Sequence, residues 1–143
     1  MLSLTCKTAI KAVIYLASKL ESGEKSGIKE IAGFINGSEH SVGKLLQSLV
    51  KEEVICSSKG PKGGFYITED QYQQPILNII ETIDGKNVFK QCGLGFYKCS
   101  SEHPCPIHDD YKGVRDLFEN LCRDKKIVDL CEPVNNGLAY LIG

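Results

Sequence analysis

The sequence predicts a mainly α fold carrying one small β-hairpin. Two patterns predict it. Apolar residues recur at helical spacing in five separate segments. Strand character is confined to two short runs, Val54-Ile55-Cys56 and Phe65-Tyr66-Ile67, on either side of a tip made of glycine, proline and lysine.

The elements follow in order. Thr5 to Leu20 carries Ala9, Ile10, Val13, Ile14, Ala17 and Leu20 on one stripe, with Thr5 as its candidate cap. Glu21–Lys25 is a polar connection. Ser26 is the expected cap of a second, short helix, Ile28 to Ile35, with Ile28, Ile31, Ala32 and Ile35 on one face. Asn36-Gly37 breaks that helix, and Ser38 caps a third. The third helix buries Val42, Leu45, Leu46, Leu49 and Val50. Its other face presents His40, Ser41, Lys44, Gln47, Ser48 and Lys51.

A short helix, a tight turn and a second amphipathic helix describe a helix-turn-helix. The hairpin that follows turns this into a winged helix, because the order helix, helix, helix, strand, strand is kept. Its tip runs Ser57 to Gly64. Glycines let such a tip approach a sugar–phosphate backbone closely, and Lys59 and Lys62 supply charge. The expected contacts to double-stranded DNA are Ser38, His40, Ser41 and Lys44 on the third helix, with Lys59, Gly60 and Lys62 on the wing. Helix N-terminal amides favour phosphate, while His40 and Lys44 suit base edges in the major groove.

Pro75 suits the first turn of a fourth helix, through Ile76, Ile79, Ile80 and Ile83 to Asp84-Gly85. A last long helix starts near Asp109 and shows a broad apolar face of Tyr111, Val114, Leu117, Phe118, Leu121 and Cys122. So much apolar surface on a helix leaving a small domain implies a homodimer. The tail Lys125–Gly143 gives no clear pattern. The expected division is a winged helix-turn-helix over 1–85, a cysteine-rich loop over 86–108, and a dimerisation helix with tail over 109–143.

Composition constrains function only weakly. The 143 residues carry a net charge of −1, which by itself gives no hint of nucleic acid. The N-terminus lacks a signal peptide's apolar stretch and no apolar run approaches ~18 residues, so a soluble, cytoplasmic protein with no membrane partner is expected. Seven cysteines then argue for metal or redox chemistry over disulfides. No glycine-rich nucleotide loop, paired acids or Ser/His/Asp set points to an enzyme.

Cys92, Cys99 and Cys105 fall within fourteen residues, and His108 follows three positions later. Gly93, Gly95, Pro104 and Pro106 make Gln91–Ile107 a loop. Soft thiolates gathered on an irregular loop with an imidazole in reach form a metal-binding set. The gaps of six and five residues are wider than zinc knuckles commonly use, and suit an iron–sulfur cluster. Zinc and a metal-free thiol site are the alternatives. His108 is the natural fourth ligand; His103 and Cys6 have lesser claims, and Cys56 and Cys122 read as packed.

Wing and cysteine loop together make the chain resemble the Rrf2 family of bacterial transcription regulators, over nearly its full length. The resemblance is carried by Lys59-Gly60-Pro61-Lys62-Gly63-Gly64-Phe65, by Ile80-Glu81-Thr82-Ile83-Asp84-Gly85, and by Cys92, Cys99, Cys105 and His108. It implies an iron–sulfur cluster, 2Fe–2S or 4Fe–4S, on the three cysteines, and a dimer that reads pseudo-palindromic operators. It also matches Lys59 to an arginine that enters the minor groove. Two departures stand out. The first cysteine gap is one residue longer than in the family's iron–sulfur cluster regulator, which leaves the cluster type open. Gly43 and Lys44 replace a glutamate and a glutamine that face bases there, so that regulator's operator is not carried over. The expected function is thus a transcription regulator whose operator affinity follows the cluster, a sensor of redox state, nitric oxide or iron–sulfur status. The alternatives are a cluster-free winged-helix regulator responding through thiols or a small ligand, and an iron–sulfur electron carrier. The latter would leave helix-turn-helix and wing unexplained.

Overall fold

The computed structural model describes residues 1–143. Its elements run α1 (Leu4–Ala17), α2 (Ile28–Ile35), α3 (Glu39–Lys51), β1 (Cys56–Ser58), β2 (Gly64–Tyr66), α4 (Glu69–Tyr72), α5 (Leu77–Asp84), a 3-10 turn (Val88–Lys90), α6 (His108–Asp124) and α7 (Ile127–Asn135). The mainly α fold with one antiparallel hairpin is the one read from the sequence.

Helix α1 is the hub. Cys6, Ala9, Ala12 and Val13 are fully buried, and the helix packs against α5, α7, α2 and α3. Small residues at this density let four neighbours approach one helix. Leu46 and Leu49 of α3, Ile31 of α2 and Ile79 and Ile80 of α5 complete a single core. Ser3 caps α1, accepting from the Cys6 N–H at 3.0 Å, so the cap lies two residues before the expected Thr5. Asp84 fixes that start, because its carboxylate accepts from the Ser3 N–H at 2.9 Å and from the Ser3 hydroxyl.

Ser26 does not cap α2; Gly27 holds that position. Ser26 is instead buried and exchanges two backbone hydrogen bonds with Phe65, at 2.9 and 2.8 Å, which docks the wing on the α1–α2 connection. The strands also lie differently from the reading. Val54 and Ile55 remain in the turn that ends α3, with Val54 N–H bonded to Leu49 C=O, and both side chains are buried. The ladder pairs Cys56 with Tyr66, Ser57 with Phe65 and Ser58 with Gly64.

Helix α4, capped by a Thr68/Gln71 capping box, was not expected. Nor was α7, whose Ile127 and Cys131 are fully buried and which packs back on α1 despite Pro133. No helix is long and apolar enough to cross a membrane.

The expected broad apolar face of α6 is divided in two. Cys122 is buried and Phe118 stacks at 5.7 Å on Phe89 of the 3-10 turn, whereas Val114, Leu117 and Leu121 are exposed. An outer stripe at i, i+3 and i+7 is therefore left on the far side of the helix.

Candidate DNA interface and cysteine-rich loop

Ser38 caps α3 in extended geometry and accepts from the Ser41 N–H at 3.2 Å, as the sequence predicts. This aims the first turn of α3 outward. His40, Ser41 and Lys44 are all exposed on it, and His40 and Lys44 share with Gln47 and Ser48 a shallow groove beside Ile28. Gly43 lies inward of this row: a Cβ there would meet Ile28 Cδ1 at 3.4 Å, an ordinary contact. Lys59, Gly60 and Lys62 are exposed at the wing tip, where Gly60 takes φ 98° and its carbonyl accepts from the Gly63 N–H at 2.9 Å. A left-handed residue closes that turn at little cost only as glycine. None of Lys44, Lys59 or Lys62 is held in an ion pair. The helix row and the wing are thus free cationic groups on one rigid core.

The cysteine loop runs from the 3-10 turn to the start of α6. Cys92 and Cys105 are buried, Cys99 half-buried, and His108, the first residue of α6, is buried at 8% exposure. The four expected donors gather as two pairs. Cys99 Sγ lies 3.4 Å from His108 Nδ1, and Cys105 neighbours Cys92 closely enough to help lower its thiol. The Leu94 N–H points at Cys92 Sγ at 3.4 Å. Burial would raise the Cys92 thiol, but the N–H groups of Leu94, Phe96 and Gly95 together with Cys105 outweigh it and hold the thiol below its usual range. His103 is exposed and apart from the pairs.

Cys6 is not available as a ligand: it is fully buried in α1, and burial, then Asp84 and Cys122, push its thiol up to about 12. Cys122 is fully buried as expected, and so is Cys131, whose role the sequence left open; Cys56 is only half-buried, its thiol 3.4 Å from Gln71 Oε1.

Zinc and an iron–sulfur cluster make different demands on such a donor set. One zinc ion needs four donors converging at about 2.0–2.3 Å. No three His, Cys, Asp or Glu side chains converge in that way. Three thiols and an imidazole on one loop, with the Leu94 N–H aimed at Cys92 Sγ, are the donor chemistry an iron–sulfur cluster takes.

What the sequence reading missed is how α6 grips this loop. Arg115 is buried at 6% exposure and donates from one terminal nitrogen to the Gln91 carbonyl at 2.6 Å. The Tyr111 ring covers Gly93. His108, Tyr111 and Arg115 stand at i, i+3 and i+7, so one stripe of α6 meets Cys99, Gly93 and Gln91 in turn. Counting that spacing from His108 is the signal that would have found them.

A helix-turn-helix with a free cationic wing, joined to a loop of cysteines and a helix with an uncovered apolar stripe, defines a DNA-binding transcription regulator. The chain belongs to the Rrf2 family, described as iron-dependent transcriptional regulators, whose family model matches residues 2–133. Regulators of this family bind DNA, are typically dimers and are not enzymes. An HTH-type transcriptional regulator of Aquifex aeolicus (strain VF5) is 28% identical over 128 residues, covering 88% of each chain. Among solved structures, CymR, the global cysteine regulator of B. subtilis, aligns with a TM-score of 0.74 at 19% identity, over 92% of this chain and 96% of its own. IscR of T. potens aligns with a TM-score of 0.73 at 17% identity, over 98% and 92%. CymR of Staphylococcus aureus gives 0.71 at 21%, over 91% and 97%.

Proposed function

We propose that this regulator binds a pseudo-palindromic operator as a homodimer, and that an iron–sulfur cluster in the cysteine loop sets its affinity. Cys92, Cys99, Cys105 and His108 would hold the cluster. When bound, it would supply one-electron redox chemistry that side chains lack. One observation carries the reading: Arg115 and Tyr111 tie the segment around Cys92 to α6, whose exposed stripe of Val114, Leu117 and Leu121 is the surface for a second copy. A change in the loop is therefore felt at the dimer contact. The two α3 helices must sit about 34–36 Å apart, or a multiple of it, to engage both half-sites. Small rotations of the pair thus change affinity steeply. On DNA, Ser38 and Ser41 meet phosphate, His40 and Lys44 base edges, and Lys59, Gly60 and Lys62 the backbone or minor groove.

The test is anaerobic purification with iron and sulfide counts, an absorbance spectrum, and operator binding of loaded and metal-free protein. Iron in the loop with different operator affinities is expected. Colourless, iron-free protein that resists reconstitution would overturn the reading.

A second reading has its own support. Backbone N–H groups and the neighbouring Cys105 hold the Cys92 thiol below its usual range, which favours thiol chemistry without a metal. Similarity to a cysteine regulator points the same way. A disulfide between Cys92 and Cys105 that changes operator affinity in iron-free protein would favour it.

A further inference from the structure

Arg115 is the one buried cation of the chain, and no carboxylate partners it. Its Nε has no hydrogen-bond partner at all. Asp116, its neighbour in sequence, is paired instead with Lys112 at 2.8 Å. One terminal nitrogen is satisfied by the Gln91 carbonyl, a neutral dipole that leaves the charge uncompensated. Burying a charge is costly unless an opposite charge balances it. Gln91 leads directly into Cys92, and the next residues of the same α6 stripe, Tyr111 and His108, touch Gly93 and Cys99. The guanidinium is therefore held at the base of the cysteine loop, where thiolates bring negative charge when they ligate.

We propose that Arg115 is the positioning residue that supplies the countercharge to the filled cysteine loop. The proposal rests on the iron–sulfur reading of that loop. Three thiolates and their cluster carry net negative charge, which grows by one on reduction. A fixed guanidinium bonded to the carbonyl of the residue before Cys92 favours the reduced form, and a neutral side chain of similar reach does not.

The experiment uses the full chain, loaded anaerobically with ferrous iron and sulfide, as wild type, Arg115→Gln and Arg115→Lys. Midpoint potentials are read by dye-mediated titration. Arg115→Gln is expected to weaken the preference for the reduced cluster about tenfold, a fall of about 59 mV for a one-electron couple. Arg115→Lys keeps the charge and is expected to stay near wild type. If Arg115→Gln fails to load and Arg115→Lys loads, the charge is again the cause. Equal potentials in wild type and Arg115→Gln overturn the proposal. So does Arg115→Lys falling with Arg115→Gln, or both failing to load, since the fork's bond to Gln91 would then be what matters.

Thermal unfolding of the metal-free proteins separates countercharge from plain packing. Metal-free Arg115→Gln is expected to melt at or above wild type, because an unbalanced buried cation has been removed. A drop as large as that of the loaded protein overturns the proposal. Wild type that takes up no iron sinks the loop reading and this proposal together. Wild type that loads, with potentials unmoved by substitution, sinks only this one.

Discussion

Gly93 lies directly beneath the ring of Tyr111: a methyl group on Gly93 would come within 2.8 Å of the ring Cγ and 2.9 Å of both Cδ atoms. The crowding is with the root of the ring, not its far end, so flipping the ring about χ2 does not relieve it. The residue after the first cysteine is therefore fixed by α6, two turns before the outer stripe at Leu117 and Leu121.

Gly93→Ala is expected to cost about 1–3 kcal/mol through overpacking and to lower iron bound per chain. Adding Tyr111→Ala should recover much of the loss. Thermal unfolding and iron analysis of the single and double variants check this. A single variant as stable and as well loaded as wild type would show that the ring does not clamp the loop.

Ser38 is the cap of α3 and, on the proposed reading, a phosphate contact, and substitution can separate the two. As the cap of α3 it satisfies the Ser41 N–H, and Ser38→Ala is expected to cost about 0.5–2 kcal/mol. Ser38→Asp keeps a capping acceptor but brings a negative charge toward phosphate. It should match wild type in stability while binding operator much more weakly. Equal DNA affinities for wild type and Ser38→Asp would remove Ser38 from the interface.

Lys44 on α3 and Lys59 on the wing are exposed and outside every ion pair. Each is expected to neutralise a phosphate. Lys44→Ala and Lys59→Ala should weaken operator binding and flatten the plot of log affinity against log salt by about one slope unit each. A Lys44→Ala effect that differs between operator variants at one base pair would instead mark a base contact. Titrations at three or more salt concentrations decide between the two.

Val114, Leu117 and Leu121 are exposed on one side of α6, Leu117 at 72%. Leu117→Asp touches nothing in the chain's own core, so it should leave the fold intact. It is expected to convert a two-chain species into single chains in sedimentation, to abolish the concentration dependence of Tm, and to weaken operator binding. A dimer that persists in this variant would put the contact elsewhere.

The helix-turn-helix was legible because its signals are local: the apolar spacing of α3, Ser38 as cap, and the Asn36-Gly37 break, with Asn36 left-handed at φ 57°. Errors arose where a distant partner decides. Ser26 reads as a cap, yet its backbone pairs with Phe65, 39 residues on. Val54 and Ile55 have strand-like side chains, but the turn after α3 buries them before the ladder begins. Helix α7 was hidden by Pro133 and by Asn135-Asn136-Gly137, and it forms because Ile127 and Cys131 fill a space beside α1. At the loop, the candidate donors could be picked out by residue type and spacing, and their neighbourhoods could not. Arg115 reads as one more surface charge on α6 until the loop is folded against it.

Buried thiols make the fold sensitive to alkali in a definite direction. Burial, with Asp84 and Cys122, holds Cys6 up to about 12, and burial, with Glu119, holds Cys122 up to about 11. In the unfolded chain both return to about 8.5. The folded state keeps its protons longer, so the stability this confers is complete below about pH 8.5 and is lost as pH rises toward 11 and then 12. Each thiol removes up to about 1.4 kcal/mol per pH unit in that window. Cys6→Ala should melt lower at pH 8, since it opens a small cavity beside Asp84 and Cys122. Its Tm should then fall less steeply than that of wild type between pH 8.5 and 10.5, and Cys122→Ala should behave alike. Parallel curves for the three proteins would show that these thiols do not govern the alkaline limit.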